Sequence, residues 1–108
     1  MSSWAALETE LDAWEAMGQT PRLWWRDDDA VTVTPALQQL LELSERVETP
    51  VHVAVIPDNL QPDLAPFMAS TSMIPIAHGF AHKNHADAQS KKCEYPVGRS
   101  FEAVQEEL

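Results

Sequence analysis

Only one cysteine, Cys93, occurs in the chain, so no disulfide can form within it. That favours a reducing compartment. Basic residues are scarce: 7 Lys and Arg stand against 17 Asp and Glu, a formal net charge of -10. Nucleic acid and anionic membrane are poor partners for such a chain, because phosphate binding needs clustered Lys and Arg. The acidic balance suits solubility and a cation, or a neutral or cationic substrate. The 3 glycines form no Gly-rich phosphate loop, and there is no Gly-x-Ser-x-Gly elbow. No segment approaches the roughly 20 apolar residues of a membrane helix. The N-terminus, Met1-Ser2-Ser3-Trp4-Ala5-Ala6-Leu7-Glu8, lacks the basic region and apolar run of a signal peptide. The expectation is a cytoplasmic protein. Internal repeats, low-complexity tracts and linkers are also missing.

What is there fits one globular domain. The chain has 108 residues, with 44% hydrophobic and 22% charged, enough for a modest core. Trp4, Leu7, Leu11 and Trp14 recur at helical spacing, which predicts a helix over 3–17 capped by Ser2 or Ser3 and ended by Gly18. Leu23 to Arg26 reads as a short buried strand stopped by Asp27-Asp28-Asp29. Trp24 and Trp25 would point to its opposite faces, in packing roles. Thr34-Pro35 is a helix start, with Thr as N-cap and Pro in the first turn. Leu37, Leu40, Leu41, Ser44 and Val47 then carry that helix to about Val47.

Val51 to Ile56 is nearly continuous in β-branched residues, the pattern of a strand buried on both faces of a parallel sheet. Pro57-Asp58-Asn59 ends it. Residues 62–69 suggest a short helix in spite of Pro66. Met73 to Ala77 predicts a third strand, residues 86–99 a loop, and Ser100 the start of a last helix with Phe101, Val104 and Leu108 on one face. Strands alternating with helices predict a parallel α/β sheet. In such folds ligands bind at the carboxyl ends of the strands.

Two motifs fall at those ends. The first is Asp27-Asp28-Asp29; the second, about fifty residues later, is His78-Gly79-Phe80-Ala81-His82, followed by His85. Successive carboxylates on a strand face opposite ways, so two of them can share a site only if the chain turns there. His78 and His82 are spaced i, i+4, which on a helical turn puts both rings on one side. Two imidazoles and a carboxylate form a three-ligand metal site with a position left for water. His85 reads as an outer or substrate group, or as an exposed residue. His52, inside a strand, reads as a satisfied core histidine. Gly79 marks backbone that needs freedom or close approach. Cys93 has no base beside it and is not read as a nucleophile. Solvated surface loops would also account for the Asp and His clusters.

In this order and at this separation, the two motifs resemble those of the polysaccharide deacetylase superfamily, the family 4 carbohydrate esterases and their relatives. Asp28-Asp29 looks like its first motif, His78-x-x-x-His82 like its second, and Val51 to Pro57 sits where its second strand would be. The resemblance covers roughly residues 22–95. Arg26-Asp27-Asp28-Asp29-Ala30 looks like a divergent form of the first motif. The resemblance implies a partial (β/α) barrel and a divalent metal, Zn²⁺ first, held by Asp29, His78 and His82. Asp28 would be the general base. A register shifted by one would instead give these two roles to Asp27 and Asp28. It also implies hydrolysis of an N-acetyl or other N-acyl group on a carbohydrate or small amide, by water activated at the metal.

The departures are definite. Lys83 stands where the family has proline, and nothing matches its later arginine segment or its late general-acid histidine. A full (β/α) barrel needs about 250 residues, so this chain is expected to build its first three or so strands. That makes it the N-terminal part of a longer enzyme, or a truncated relative pairing with itself or another chain. The truncated form could bind a metal or a partner without turnover.

Overall fold

The sheet is laid down by pairing that starts before its first strand and ends after its last. The protein, in a computed structural model describing residues 3–107, has four α-helices and a three-stranded parallel sheet among those residues. The strands are β1 (Arg26–Ala30), β2 (His52–Val55) and β3 (Ile74–Ala77), in the spatial order β1-β2-β3. His52 N–H donates to Trp25 O at 3.1 Å, and His78 N–H donates to Val55 O at 2.8 Å.

β1 is displaced from its expected place. The aspartates were expected to stop a strand over Leu23 to Arg26; instead they form its body. Their backbone pairs with β2, while the side chains of Asp28 and Asp29 are exposed and that of Asp27 is half-buried. Leu23 and Trp24 lie outside the strand and are 81% and 60% exposed. Trp25 also precedes the strand but packs against the core, so the packing role expected of both tryptophans holds for Trp25 and not for the exposed Trp24.

The pairing also slips. Asp27 faces Val53, but Ala30 faces Val55, so β1 spends one more residue than β2 over that interval. This is a β-bulge, and Asp29 within it has φ 68°. β3 takes Pro75 without penalty because it is the other edge, where a missing N–H need not be paired.

The helices follow local chemistry. α1 (Ala5–Ala16) begins with Ser3 Oγ accepting from Ala5 N–H at 3.2 Å and ends at Gly18, φ 69°. Ser2 as a cap lies outside the described residues. α2 (Pro35–Arg46) has Thr34 as its N-cap, with Oγ accepting from Leu37 N–H at 3.0 Å. Its buried face carries Leu37 and Ser44. α3 (Leu64–Ala69) tolerates Pro66 because that residue falls in the first turn, where an amide has no helical partner to lose. α4 (Phe101–Gln105) is capped by Ser100 Oγ, which accepts from Ala103 N–H at 3.1 Å. Leu108, expected on its apolar face, lies outside the described residues.

The core sits between β2 and the two helices α2 and α3. Leu37, Val51, Val53, Leu64, Met68 and Met73 form it, with Trp25, Leu40 and Phe67 at its margin. α1 buries no residue: Trp4 is 70% exposed, and Leu7 and Leu11 are also open. The chain exposes 8367 Å², against about 6,000 Å² for a compact monomer of this mass. Its radius of gyration is 18.5 Å, where about 13 Å is usual for this length. Much apolar surface is therefore left uncovered. No described helix is long and apolar enough to cross a membrane.

Candidate metal centre

The two motifs meet at the carboxyl edge of the sheet. Asp29 comes from the bulge that ends β1, and His78 follows β3 directly. His82 is reached by a sharply bent segment. That segment is not the helical turn expected from the i, i+4 spacing. Gly79 has φ 62° and His82 φ 56°, so the chain doubles back rather than winding on. The rings still meet, with centroids 4.2 Å apart. Two of the three candidate ligands, Asp29 and His82, thus occupy the left-handed region, which non-glycine residues enter at a cost of roughly 1–3 kcal/mol. Asp and His are among the residues that enter it most readily.

The donor set fits a divalent ion. Asp29 Oδ1 lies 3.1 Å from His78 Nε2 and 3.4 Å from His82 Nε2. Ligands about 2.0–2.1 Å from a tetrahedral Zn²⁺ lie about 3.3 Å from one another. One ligand atom from each residue falls within 4.8 Å of the others. The side chains of Asp29 and His82 are half exposed, at 57% and 49%. Three ligands on an open face suit a site that admits water and substrate.

Asp28 stands beside the triad, outside it. Its Oδ1 accepts from Arg26 Nε at 2.5 Å. Arg26 Nη2 also reaches His78 Nδ1, at 2.9 Å. A guanidinium only donates, so Nδ1 accepts and the ring proton sits on Nε2, facing Asp29. Asp27 takes no part in the triad. Burial pushes its carboxyl above the usual range, and the charges of Asp28 and Asp29 push it the same way.

Residues 86–99 hold a group that sequence reading passed over. Glu94 Oε1 accepts from three successive backbone amides: Phe80 at 3.0 Å, Ala81 at 2.6 Å and His82 at 3.2 Å. Burial pushes the Glu94 carboxyl up, but the amides of Ala81, Phe80 and His82 outweigh that, and it lies below the usual carboxylate range. The only sequence sign was Gly79. A Cβ there would overlap Glu94 Oε2, with Cδ 2.9 Å away.

The other histidines lie apart from the triad. His85 Nε2 is 3.8 Å from Glu107 Oε1, while its backbone N–H donates to Cys93 O at 2.8 Å. His52 is not the satisfied core histidine expected. Its ring meets Trp24 edge-on at 4.9 Å, and its buried Nδ1 has no partner among the described residues. Cys93 is exposed. An open cleft of about 360 Å³ adjoins the triad, lined by His82, Lys83, Asn84, Lys92, Cys93 and Glu94. Against this geometry, no family model, no curated protein and no solved structure matches the chain.

Proposed function

We propose that the chain carries the metal centre of a hydrolase of the polysaccharide deacetylase type, built on part of a (β/α) barrel. It removes N-acetyl or other N-acyl groups from a carbohydrate or small amide. The observation that supports this most is the convergence of Asp29, His78 and His82 at the carboxyl ends of β1 and β3, with Asp28 alongside. A divalent ion held by these three, Zn²⁺ first, would polarise the amide carbonyl and acidify a water.

The chain's own groups do the rest. Asp28 takes the proton from the attacking water as general base. Arg26, donating to Asp28 Oδ1, holds that carboxylate in place beside the triad. The cleft beside His82 lies within the roughly 300–1,000 Å³ range of small-molecule sites and receives the acylated group. Water cleaves the C–N bond: its oxygen goes to the acyl carbon, the proton taken up by Asp28 passes to the departing nitrogen, and the other water proton stays with the carboxylic acid or is released from it. The products are acetate and a free amine. A cytoplasmic setting, favoured by the single cysteine, suits a small N-acylated molecule better than a cell-wall polymer.

A second reading is a metal-binding module without turnover that pairs with a second copy or another chain. The exposed Trp4, Leu23 and Trp24 favour it.

The deciding experiment is a Zn²⁺ titration by calorimetry on the metal-stripped chain, with His82→Ala alongside. One tight site, lost in the variant, is expected. A folded wild-type chain that takes up no Zn²⁺ would overturn the metal reading.

A further inference from the structure

We propose that Glu94 is the positioning residue of the metal centre: its carboxylate fills a nest of three amides and thereby holds His82 turned toward His78 and Asp29. This rests on the metal reading above and adds the device that builds the site. Successive N–H groups pointing into one concavity form an anion site. Here the anion is supplied by the chain itself, from a segment twelve residues beyond His82.

Three features make Glu94 more than a chance contact. One oxygen serves Phe80, Ala81 and His82 together, so it fixes the whole path between the two histidines. Glycine at 79 leaves room for the other oxygen, which a side chain would displace. Glu94 is itself braced. Arg99, whose side chain is 11% exposed, donates from Nη1 to Glu94 O at 3.1 Å and pairs through Nη2 with Glu107. Asn84 Oδ1 closes the same segment by accepting from Cys93 N–H at 2.8 Å. His82 at φ 56° needs an external restraint, because its own backbone does not prefer that conformation. Groups that orient metal ligands from behind are commonly worth 10–100-fold in metal affinity.

The test compares Glu94→Ala, Glu94→Gln, Gly79→Ala and the Glu94→Ala/Gly79→Ala pair. Each is titrated with Zn²⁺, and each metal-free chain is followed by NMR at the amides of Phe80, Ala81 and His82. Glu94→Ala should weaken Zn²⁺ binding by about tenfold or more. Gly79→Ala should do the same by evicting the carboxylate, and the pair should be no weaker than the worse single variant. Glu94→Gln, which keeps the shape and an acceptor oxygen, should recover part of the loss and guards against an unfolded alanine variant. In the metal-free chain, Glu94→Ala should speed exchange at the three amides and separate the rings of His78 and His82. A wild-type chain that binds Zn²⁺ tightly beside a Glu94→Ala variant that binds equally well overturns the proposal and leaves the metal reading intact. If the wild type binds none, the metal reading falls, and the metal-free spectra decide on Glu94: unchanged exchange and unchanged ring contacts overturn it.

Discussion

Arg26 Nη2 and His78 Nδ1 lie 2.9 Å apart, a contact that fixes the ring and would oppose a metal on its far nitrogen. The guanidinium makes Nδ1 an acceptor, so Nε2 bears the proton that points at Asp29 Oδ1, 3.1 Å away. A metal needs the Nε2 lone pair. The proton must then move to Nδ1, against a donor, and Arg26 has to swing off onto Asp28 alone.

Arg26→Gln should therefore raise Zn²⁺ affinity. Removing one cation close to a divalent ion is worth about 1 kcal/mol in a solvated site, or roughly fivefold. Parallel calorimetric titrations of the two chains read this directly. A weaker variant would mean that Arg26 orients the ring more than it resists the metal.

Asp63 ties the loop after β1 to the start of α3. Its carboxylate accepts from Thr32 Oγ at 2.8 Å and from Val33 N–H at 3.1 Å, and these bonds, Thr32 first, hold its carboxyl below the ordinary 3.8. A carboxyl depressed by folding adds stability above its unfolded value, and loses it as pH falls through the folded value. Urea midpoints of the wild type and Asp63→Asn should differ by a constant amount above about pH 5 and converge below about pH 4. A difference that stays constant down to pH 2.5 would remove Asp63 from the acid response.

Glu48 ends α2 in the left-handed region, at φ 53°. Thr49 N–H returns to Ser44 O at 3.0 Å, which is the closing bond of a Schellman turn. Glycine is the usual occupant of that position, and an L side chain there costs about 1 kcal/mol. Glu48→Gly should raise stability by about that amount in urea unfolding. No gain would show that the Glu48 side chain offsets its own strain.

The elements were legible where one local signal decided them. Thr34-Pro35 set the start of α2, Gly18 the end of α1, and the β-branched run the buried strand β2. β1 was misplaced because its register is dictated by β2, a long-range partner that no local signal within residues 23–30 reveals. The candidate ligands were legible as residue types. Their geometry was not: the i, i+4 spacing suggested a helical turn, and the turn found instead is hydrogen-bonded through its amides to Glu94, twelve residues beyond His82 in a segment read as plain loop. His52 misled because its strand is buried while its ring faces the exposed Trp24.

The proposed function gives Asp28 and Asp29, neighbours in sequence, separate roles, and that separation is the sharpest test of the proposed chemistry. Asp29 Oδ1 faces both imidazoles, whereas Asp28 Oδ1 faces Arg26. The bulge makes the difference, because it turns Asp29 without turning Asp28. Asp28→Asn keeps the shape, the triad and an oxygen for Arg26 Nε, and removes only the proposed base. Zn²⁺ affinity should fall by no more than about fivefold, the effect of one lost charge in a solvated site, while hydrolysis of an N-acetylated sugar or small amide should fall by about 10²–10⁴. Calorimetry and an acetate-release assay on the same preparations check both halves. A variant that loses Zn²⁺ instead would exchange the roles of ligand and base. If Asp28→Asn binds Zn²⁺ as the wild type does and neither chain releases acetate, the module without turnover becomes the better reading.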